Sequence, residues 1–206
     1  MTAQEFKNRI EKAYSESHNL HCGDGGFDIR RGMGHTMSGY VEDLFALYMA
    51  EKLNNHNLKF WVDKVTSIRF RKQDKALSFK PDLMIIKDTV LTHYFDLKTN
   101  LGWNRNLEKY LIDRDKFIGK IKGRKPWCKI DKQDCHLSIS DKLKYQIVLV
   151  FDFNINKDLL SQHIEFVKGL QNLELYILII KKDGKDIVNT EDFERLDRDS
   201  FIQLAV

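Results

Sequence analysis

The sequence predicts an α/β protein with a central mixed β-sheet flanked by helices. Two apolar runs, at 83–86 and 90–97, lie on either side of the polar Lys87-Asp88-Thr89, which is typical of an antiparallel hairpin. Further along, the segment 145–180 holds two apolar runs around an amphipathic helical pattern. That order predicts two parallel strands, buried on both faces and joined by a helix.

Composition limits the class of protein. The chain has 206 residues, 42% hydrophobic residues and only two prolines. This predicts one domain, 1–206, with its core at about 39–180. No apolar run is long enough for a membrane span, and the first residues are charged and lack a secretory apolar region, so we expect a cytoplasmic protein. The net charge of +4 only weakly favours a nucleic-acid partner.

The elements before the hairpin follow from apolar spacing. Residues 2–17 predict an amphipathic helix, and 19–39, with six glycines, predict a loop or a pair of turns. A second helix is predicted from Ser38 to about Asn54. The segment 58–71 alternates like a strand, but its phase changes after Val62, which indicates a bulge or two short strands.

Weaker patterns follow the hairpin. Asn104 can cap a helix that continues to about Ile118. The segment 123–140 is predicted to be irregular. Near the end of the chain, 191–196 predicts one helical turn and 201–206 an edge strand or tail.

The hairpin carries the residues with chemical potential. Asp82 and Asp96 each lie seven residues from Thr89, so a hairpin centred there places the two carboxylates opposite each other. Cross-strand partners lie about 5 Å apart, close enough for both to bind one metal ion. Side chains alternate along a strand, so Lys98 lies on the face of Asp96. The alternative is that all three are solvated residues at strand ends.

Two acids and a lysine at one end of a hairpin favour metal-assisted hydrolysis of a phosphodiester. Mg²⁺ prefers oxygen ligands from one or two carboxylates, with water and phosphate completing its octahedron. Lys98 could hold or deprotonate the attacking water, or neutralise the charge that develops on the phosphate.

These residues also resemble a known family. Pro81-Asp82 followed by Asp96-Leu97-Lys98 is similar to the motif of the PD-(D/E)xK nuclease superfamily, and most like that of a type II restriction endonuclease. The resemblance covers about 39–123 and implies a restriction-endonuclease-like core. It implies that Asp82 and Asp96 bind Mg²⁺, or Mn²⁺ in its place, and that Lys98 is the catalytic lysine.

The same resemblance implies two further ligands. The family often supplies an acid from a helix before the hairpin, and Glu42 is the matching candidate for a catalytic and metal-binding residue. The backbone carbonyl of Leu97 is the other. By its position alone, Glu42 lies at the edge of an apolar stripe and is either solvated or directed at the hairpin end.

The implied function is a Mg²⁺-dependent DNA endonuclease, most like a sequence-specific type II restriction endonuclease. Cleavage of both strands of a palindromic site in double-stranded DNA needs two active sites, so a homodimer is expected. The alternatives are a structure-specific repair nuclease or Holliday-junction resolvase, and a catalytically silent DNA-binding domain of the same fold.

Basic residues form local clusters at 30–31, 69–72 and 116–125, each of which is either a phosphate-binding surface or a solvated one. The segments 19–39 and 123–140 are candidates for reading bases. The candidate DNA-binding residues are Arg30, Arg31, His35, Asn100, Lys120, Lys122, Arg124 and Lys125.

The cysteines leave one further alternative open. Cys22, Cys128 and Cys135 form no disulfide framework, which fits a reducing compartment. Nearby histidines, His18 and His21 in one group and His136 in the other, would allow a zinc site, although the spacing lacks paired CxxC motifs.

Overall fold

A computed structural model describes the backbone of residues 1–21, 37–99, 107–152 and 156–205, and the side chains of these residues except 17–21. Within these ranges no helix is both long and apolar enough to cross a membrane. The five helices of the described ranges are α1 (Ala3–His21), α2 (Ser38–Leu53), α3 (Leu107–Ile121), α4 (Lys157–Lys168) and α5 (Thr190–Leu204).

The strands form two sheets. The main sheet has the order β1-β4-β5-β9-β10-β11, with β8 paired to β5, and the second sheet has the order β3-β2-β6-β7. The strands are β1 (Leu58–Val62), β2 (Thr66–Arg69), β3 (Leu77–Phe79), β4 (Leu83–Lys87), β5 (Val90–Lys98), β6 (Trp127–Ile130), β7 (Gln133–His136), β8 (Ser138–Ile139), β9 (Tyr145–Phe151), β10 (Leu173–Lys182) and β11 (Lys185–Val188).

The main sheet is mixed, as predicted. β1, β4 and β5 are antiparallel neighbours, whereas β5, β9 and β10 run parallel. All seven residues of β9 are buried, because helices or the second sheet cover both faces of the main sheet. On one face α1, α2 and α5 pack through Phe6, Phe45 and Phe193. On the other face lie α3, α4 and the second sheet. The predicted α/β class with flanking helices is confirmed.

A β-bulge sets the register of the hairpin formed by β4 and β5. Next to the turn, Lys87 pairs with Val90, but beyond a register shift Leu83 pairs with Phe95. Thr92 is the extra residue, and its hydroxyl donates a hydrogen bond to the carbonyl oxygen of Ile85 over 3.0 Å. The bulge therefore gives the far end of the hairpin the register expected for a centre at Thr89.

The prediction of an irregular segment at 123–140 is wrong, because it contains β6, β7 and β8. Asp131 and Lys132 have positive φ angles of 48° and 70°, and they form the two-residue turn between β6 and β7. Aspartate is common at the first position of such a turn, but Lys132 stands where glycine is usual, so the turn was not recognised. The segment 58–71 divides into β1 and β2, which belong to different sheets.

The C-terminal predictions are also wrong. Instead of a single helical turn at 191–196 and an edge strand or tail at 201–206, α5 continues through Leu204, and β11 precedes it. The buried residues of α5 have helical spacing but change from apolar to polar: Phe193, Leu196, Ser200 and Gln203. The polar half of this buried face obscured the helical pattern.

Candidate active site

Three aspartates form one row across β1, β4 and β5. Val62 pairs with Leu83, and Leu83 with Phe95. One residue beyond this pairing lie Asp63, Asp82 and Asp96. Backbone bonds of 3.1 Å from the Asp63 amide to the Asp82 carbonyl, and from the Asp82 amide to the Phe95 carbonyl, continue the ladder to this row. The sheet therefore brings three carboxylates to one end.

The first turns of α2 add a fourth acid. One oxygen each of Glu42, Asp63 and Asp82 lies within 4.8 Å of the others, so that these three carboxylates could hold a metal ion together. Glu42 and Lys98 also line a cavity of about 110 Å³ between α2 and the ends of β5 and β9. Of the two options for Glu42, the structure therefore supports the one in which it is directed at the hairpin end.

Asp96 is held differently from the other acids. It is 7% exposed, and its Oδ1 lies 2.7 Å from Nζ of Lys98. Its Oδ2 accepts a hydrogen bond of 2.6 Å from the hydroxyl of Tyr110 on α3. The Tyr110 hydroxyl lies 3.0 Å from that of Tyr145, and the Arg114 guanidinium lies over the Tyr110 ring. Both oxygens of Asp96 thus have defined partners.

Burial and the negative charge of Asp96 raise the pKa of Asp82 to about 7. The backbone amide of Leu97 donates a hydrogen bond of 2.6 Å to Oδ2 of Asp82 and opposes this rise in pKa. The pKa of Glu42 is also raised, by burial and by the charge of Asp63. Placing these acids together is electrostatically costly, and a bound cation would offset that cost.

Asp96 and Lys98 form a charged pair. Burial alone would raise the pKa of Asp96, but the ammonium of Lys98 and the hydroxyl of Tyr110 together hold that pKa below its usual value. Burial disfavours the charged form of Lys98, yet the carboxylates of Asp96 and Asp82 raise its pKa. Lys98 is therefore a cation at neutral pH, which suits it to bind a phosphate oxygen or neutralise charge on it.

The four predicted acid and lysine positions gather at one end of the sheet. Asp82, Asp96 and Lys98 come from the hairpin, and Glu42 comes from α2. Asp96 contacts Lys98 and Tyr110 and is not part of the three-carboxylate group described above, so its role as a ligand stays a prediction. The same holds for the backbone carbonyl of Leu97.

The predicted DNA-binding residues divide into two groups. Arg30, Arg31, His35 and Asn100 lie outside the described residues. The other four, Lys120, Lys122, Arg124 and Lys125, lie at the end of α3 and just after it. Three of these are exposed, whereas Lys122 is half-buried and contacts the side-chain oxygen of Asn172.

The structure does not bring together the three residues of the second sheet that the alternative of a zinc site would require. Cys128 and Cys135 are paired across β6 and β7 and face the core. His136 follows Cys135 in the same strand and therefore points to the opposite face. Cys22 and the side chains of His18 and His21 lie outside the described residues.

Three residues at the site were not identified as functional candidates from the sequence. Asp63 comes directly after β1, and Asp82 comes directly before β4. Had the sequence shown that β1 pairs with β4, Asp63 would have been placed beside Asp82. Tyr110 and Arg114 are polar residues at helical spacing on the inward side of α3, which is a weaker signal.

Neither a scan of known protein-family models nor a search of curated proteins finds a match for this chain.

Proposed function

We propose that this protein is a metal-dependent DNA endonuclease of the PD-(D/E)xK kind, with a restriction-endonuclease-like core. The observation that carries the proposal is the row formed by Asp63, Asp82 and Asp96, with Lys98 paired to Asp96 and Glu42 across the cavity. Acids and a lysine at these positions match the order that the sequence motif requires.

The site fits a divalent cation of the Mg²⁺ type. Its candidate ligands are carboxylate oxygens, the donors that Mg²⁺ and Mn²⁺ prefer. Asp82 and Glu42, with raised pKa values, are the groups whose charged forms most need a cation nearby. When bound, the metal ion would stabilise charge on the phosphate and make a bound water more acidic.

The residues of the chain supply the rest of the chemistry. Lys98, held by Asp96, provides a fixed positive charge for a phosphate oxygen or for the attacking water. Tyr110 holds the second oxygen of Asp96 and so limits rotation of that carboxylate. Asp82 and Asp63 are carboxylates that could hold the cation together with Glu42, although Asp63 also contacts the Lys80 ammonium over 2.5 Å.

This activity could take two forms. The first is sequence-specific cleavage of double-stranded DNA, and the second is cleavage of branched or damaged DNA. In the first form, cleavage of both strands requires two copies of the site, so that a homodimer is expected. In the second form, one site can cut one strand at a junction.

The test is cleavage of supercoiled, linear and branched DNA with Mg²⁺ or with EDTA, by the wild type and by Lys98→Ala. We expect Mg²⁺-dependent cleavage that the substitution lowers about 100-fold or more, because a charge stabiliser at the reacting phosphate is lost. Lys144→Ala is the matched control, since Lys144 is also half-buried and paired with a carboxylate, that of Glu174. Equal activity of wild type and Lys98→Ala would refute the role of Lys98.

A further inference from the structure

The segments that form the second sheet differ in charge from the rest of the chain. Residues 64–80 and 122–136, which contain β2, β3, β6 and β7, hold eleven lysines and arginines and three aspartates, a net charge of +8. The whole chain carries +4, so the remaining residues carry −4. Positive charge is therefore concentrated on one part of a nearly balanced protein, which is the electrostatic pattern of a polyanion-binding surface.

Two rows of side chains define the outer face of the second sheet. Arg69, Trp127 and His136 are directly paired across β2, β6 and β7, and all three are exposed. The second row contains Ser67, Lys129 and Asp134, and the Lys129 ammonium lies 3.3 Å from the Asp134 carboxylate. The inward positions between these rows, Ile68, Cys128 and Cys135, pack against the core, so the two outer rows lie on the opposite face of the sheet.

Trp127 stands out on this face. It is 62% exposed although β6 is an interior strand of its sheet. Beside it, a cavity of about 260 Å³ is lined by Trp127, Arg69 and the ion pair of Lys129 with Asp134, among others. An accessible indole beside the cationic Arg69 can stack on a nucleobase while the guanidinium contacts a flanking phosphate.

Further cations lie around the cavity. Among the described residues, Arg69, Arg71, Lys72 and Lys125 are exposed and have no carboxylate partner. The guanidinium of Arg124 lies 3.5 Å from the centre of the Phe70 ring and so joins two of the basic clusters seen in the sequence. The clusters at 69–72 and 116–125 thus form one surface rather than two separate ones.

The sheet is continuous with the candidate active site. β3 leads directly into Lys80, whose ammonium lies 2.5 Å from the carboxylate of Asp63. Arg69 is six residues from Asp63, a separation that an extended chain spans in at most about 22 Å. A strand of about six nucleotides at 3.4 Å each covers that distance.

We propose that this outer face, with Trp127 at its centre, binds a single-stranded segment of DNA and stacks an unpaired base on the indole. The inference rests on the proposed function in that both assume DNA as the partner. It narrows the substrate to DNA with an unpaired segment near the scissile bond. An exposed indole favours this partner over intact duplex, in which the faces of the bases are already stacked.

The test is binding without cleavage. Labelled 20-nucleotide single strands, the corresponding duplex and an RNA of the same sequence are titrated with protein in EDTA, with fluorescence anisotropy as the readout. We expect the single-stranded DNA to bind most tightly. Trp127→Thr, which keeps β propensity without the ring, should weaken that binding about 10-fold, and Trp127→Phe should restore most of it.

Two controls separate stacking from general charge. Arg69→Ala combined with Arg71→Ala should make the slope of log affinity against log salt shallower by about 1.4, since each phosphate contact on a single strand contributes about 0.7. Phe201→Ala removes an aromatic residue that is 51% exposed on α5 and should leave binding unchanged.

Unchanged binding by Trp127→Thr, or tighter binding of duplex or RNA than of single-stranded DNA, would overturn the proposal. Because binding is measured in EDTA, where cleavage does not occur, these outcomes are independent of whether Lys98→Ala abolishes cleavage. A protein that binds through Trp127 but never cleaves would refute only the nuclease assignment.

Discussion

Acidification should destabilise the fold through His93. This residue of β5 is fully buried, and its Nε2 lies 3.0 Å from the carbonyl oxygen of Ser200 in α5. Burial lowers the pKa of His93 to about 4 from an ordinary value of 6.5, and the bond to Ser200 opposes this shift only in part. The imidazole is therefore neutral in the folded protein over most of the accessible pH range.

The sign of the effect follows from proton uptake by the two states. As the pH falls below about 6.5, the unfolded chain binds a proton at this histidine and the folded protein does not. The stabilisation is fully present above about pH 6.5 and is lost as the pH falls to about 4. The two pKa values correspond to about 3 kcal/mol in all, of which about 1.4 kcal/mol is lost by about pH 5.5.

The assay is urea unfolding of the wild type and of His93→Gln at several values between about pH 7.5 and pH 4.5. The glutamine amide does not titrate and can still donate a hydrogen bond to the Ser200 carbonyl. As the pH falls, the wild type should lose unfolding free energy relative to His93→Gln, by about 1.4 kcal/mol at about pH 5.5. His56→Gln, at an exposed position between α2 and β1, is the control and should follow the wild type. Parallel curves for the wild type and His93→Gln would refute the reasoning.

Two further predictions concern the site and a helix cap. Tyr110→Phe removes the hydroxyl that lies 2.6 Å from Asp96, and we expect the Mg²⁺ concentration for half-maximal cleavage to rise about 10-fold; an unchanged Mg²⁺ dependence would contradict the positioning role. Asn156→Ala removes the side-chain oxygen that caps α4 by accepting from the amides of Asp158 and Leu159, and should lower the free energy of unfolding by about 1 kcal/mol, measured with urea. Asn156→Asp keeps a capping oxygen and should stay near the wild type, whereas equal stability of the alanine variant would contradict the cap.

The hairpin was predictable from the sequence because its signals are local. Two apolar runs around a short polar turn define both strands, and Asp82 and Asp96 are equally distant from Thr89. In the structure the turn is not centred on Thr89, because Lys87 pairs with Val90. The bulge at Thr92 then shifts the pairing by one residue and restores the expected register. The bulge itself has no clear signal in the sequence.

Other features depend on contacts between distant segments and were not predictable. Asp63 joins the acidic row only because β1 pairs with β4, and the sequence does not specify that pairing. The second sheet depends on a two-residue turn in which Lys132, rather than the usual glycine, follows Asp131 with a positive φ angle. α5 was missed because its buried face includes Ser200 and Gln203, so that its buried residues do not form an apolar stripe.

The most direct test of the account is Mg²⁺-dependent DNA cleavage by Asp82→Asn beside Asp88→Asn. Both substitutions replace an aspartate of the same hairpin by its amide, but Asp88 lies in the turn, where its φ of 55° is one that asparagine tolerates. We expect Asp82→Asn to lose cleavage by at least about 100-fold and Asp88→Asn to retain it. Full cleavage by Asp82→Asn would contradict the assignment of this row of carboxylates as the active site.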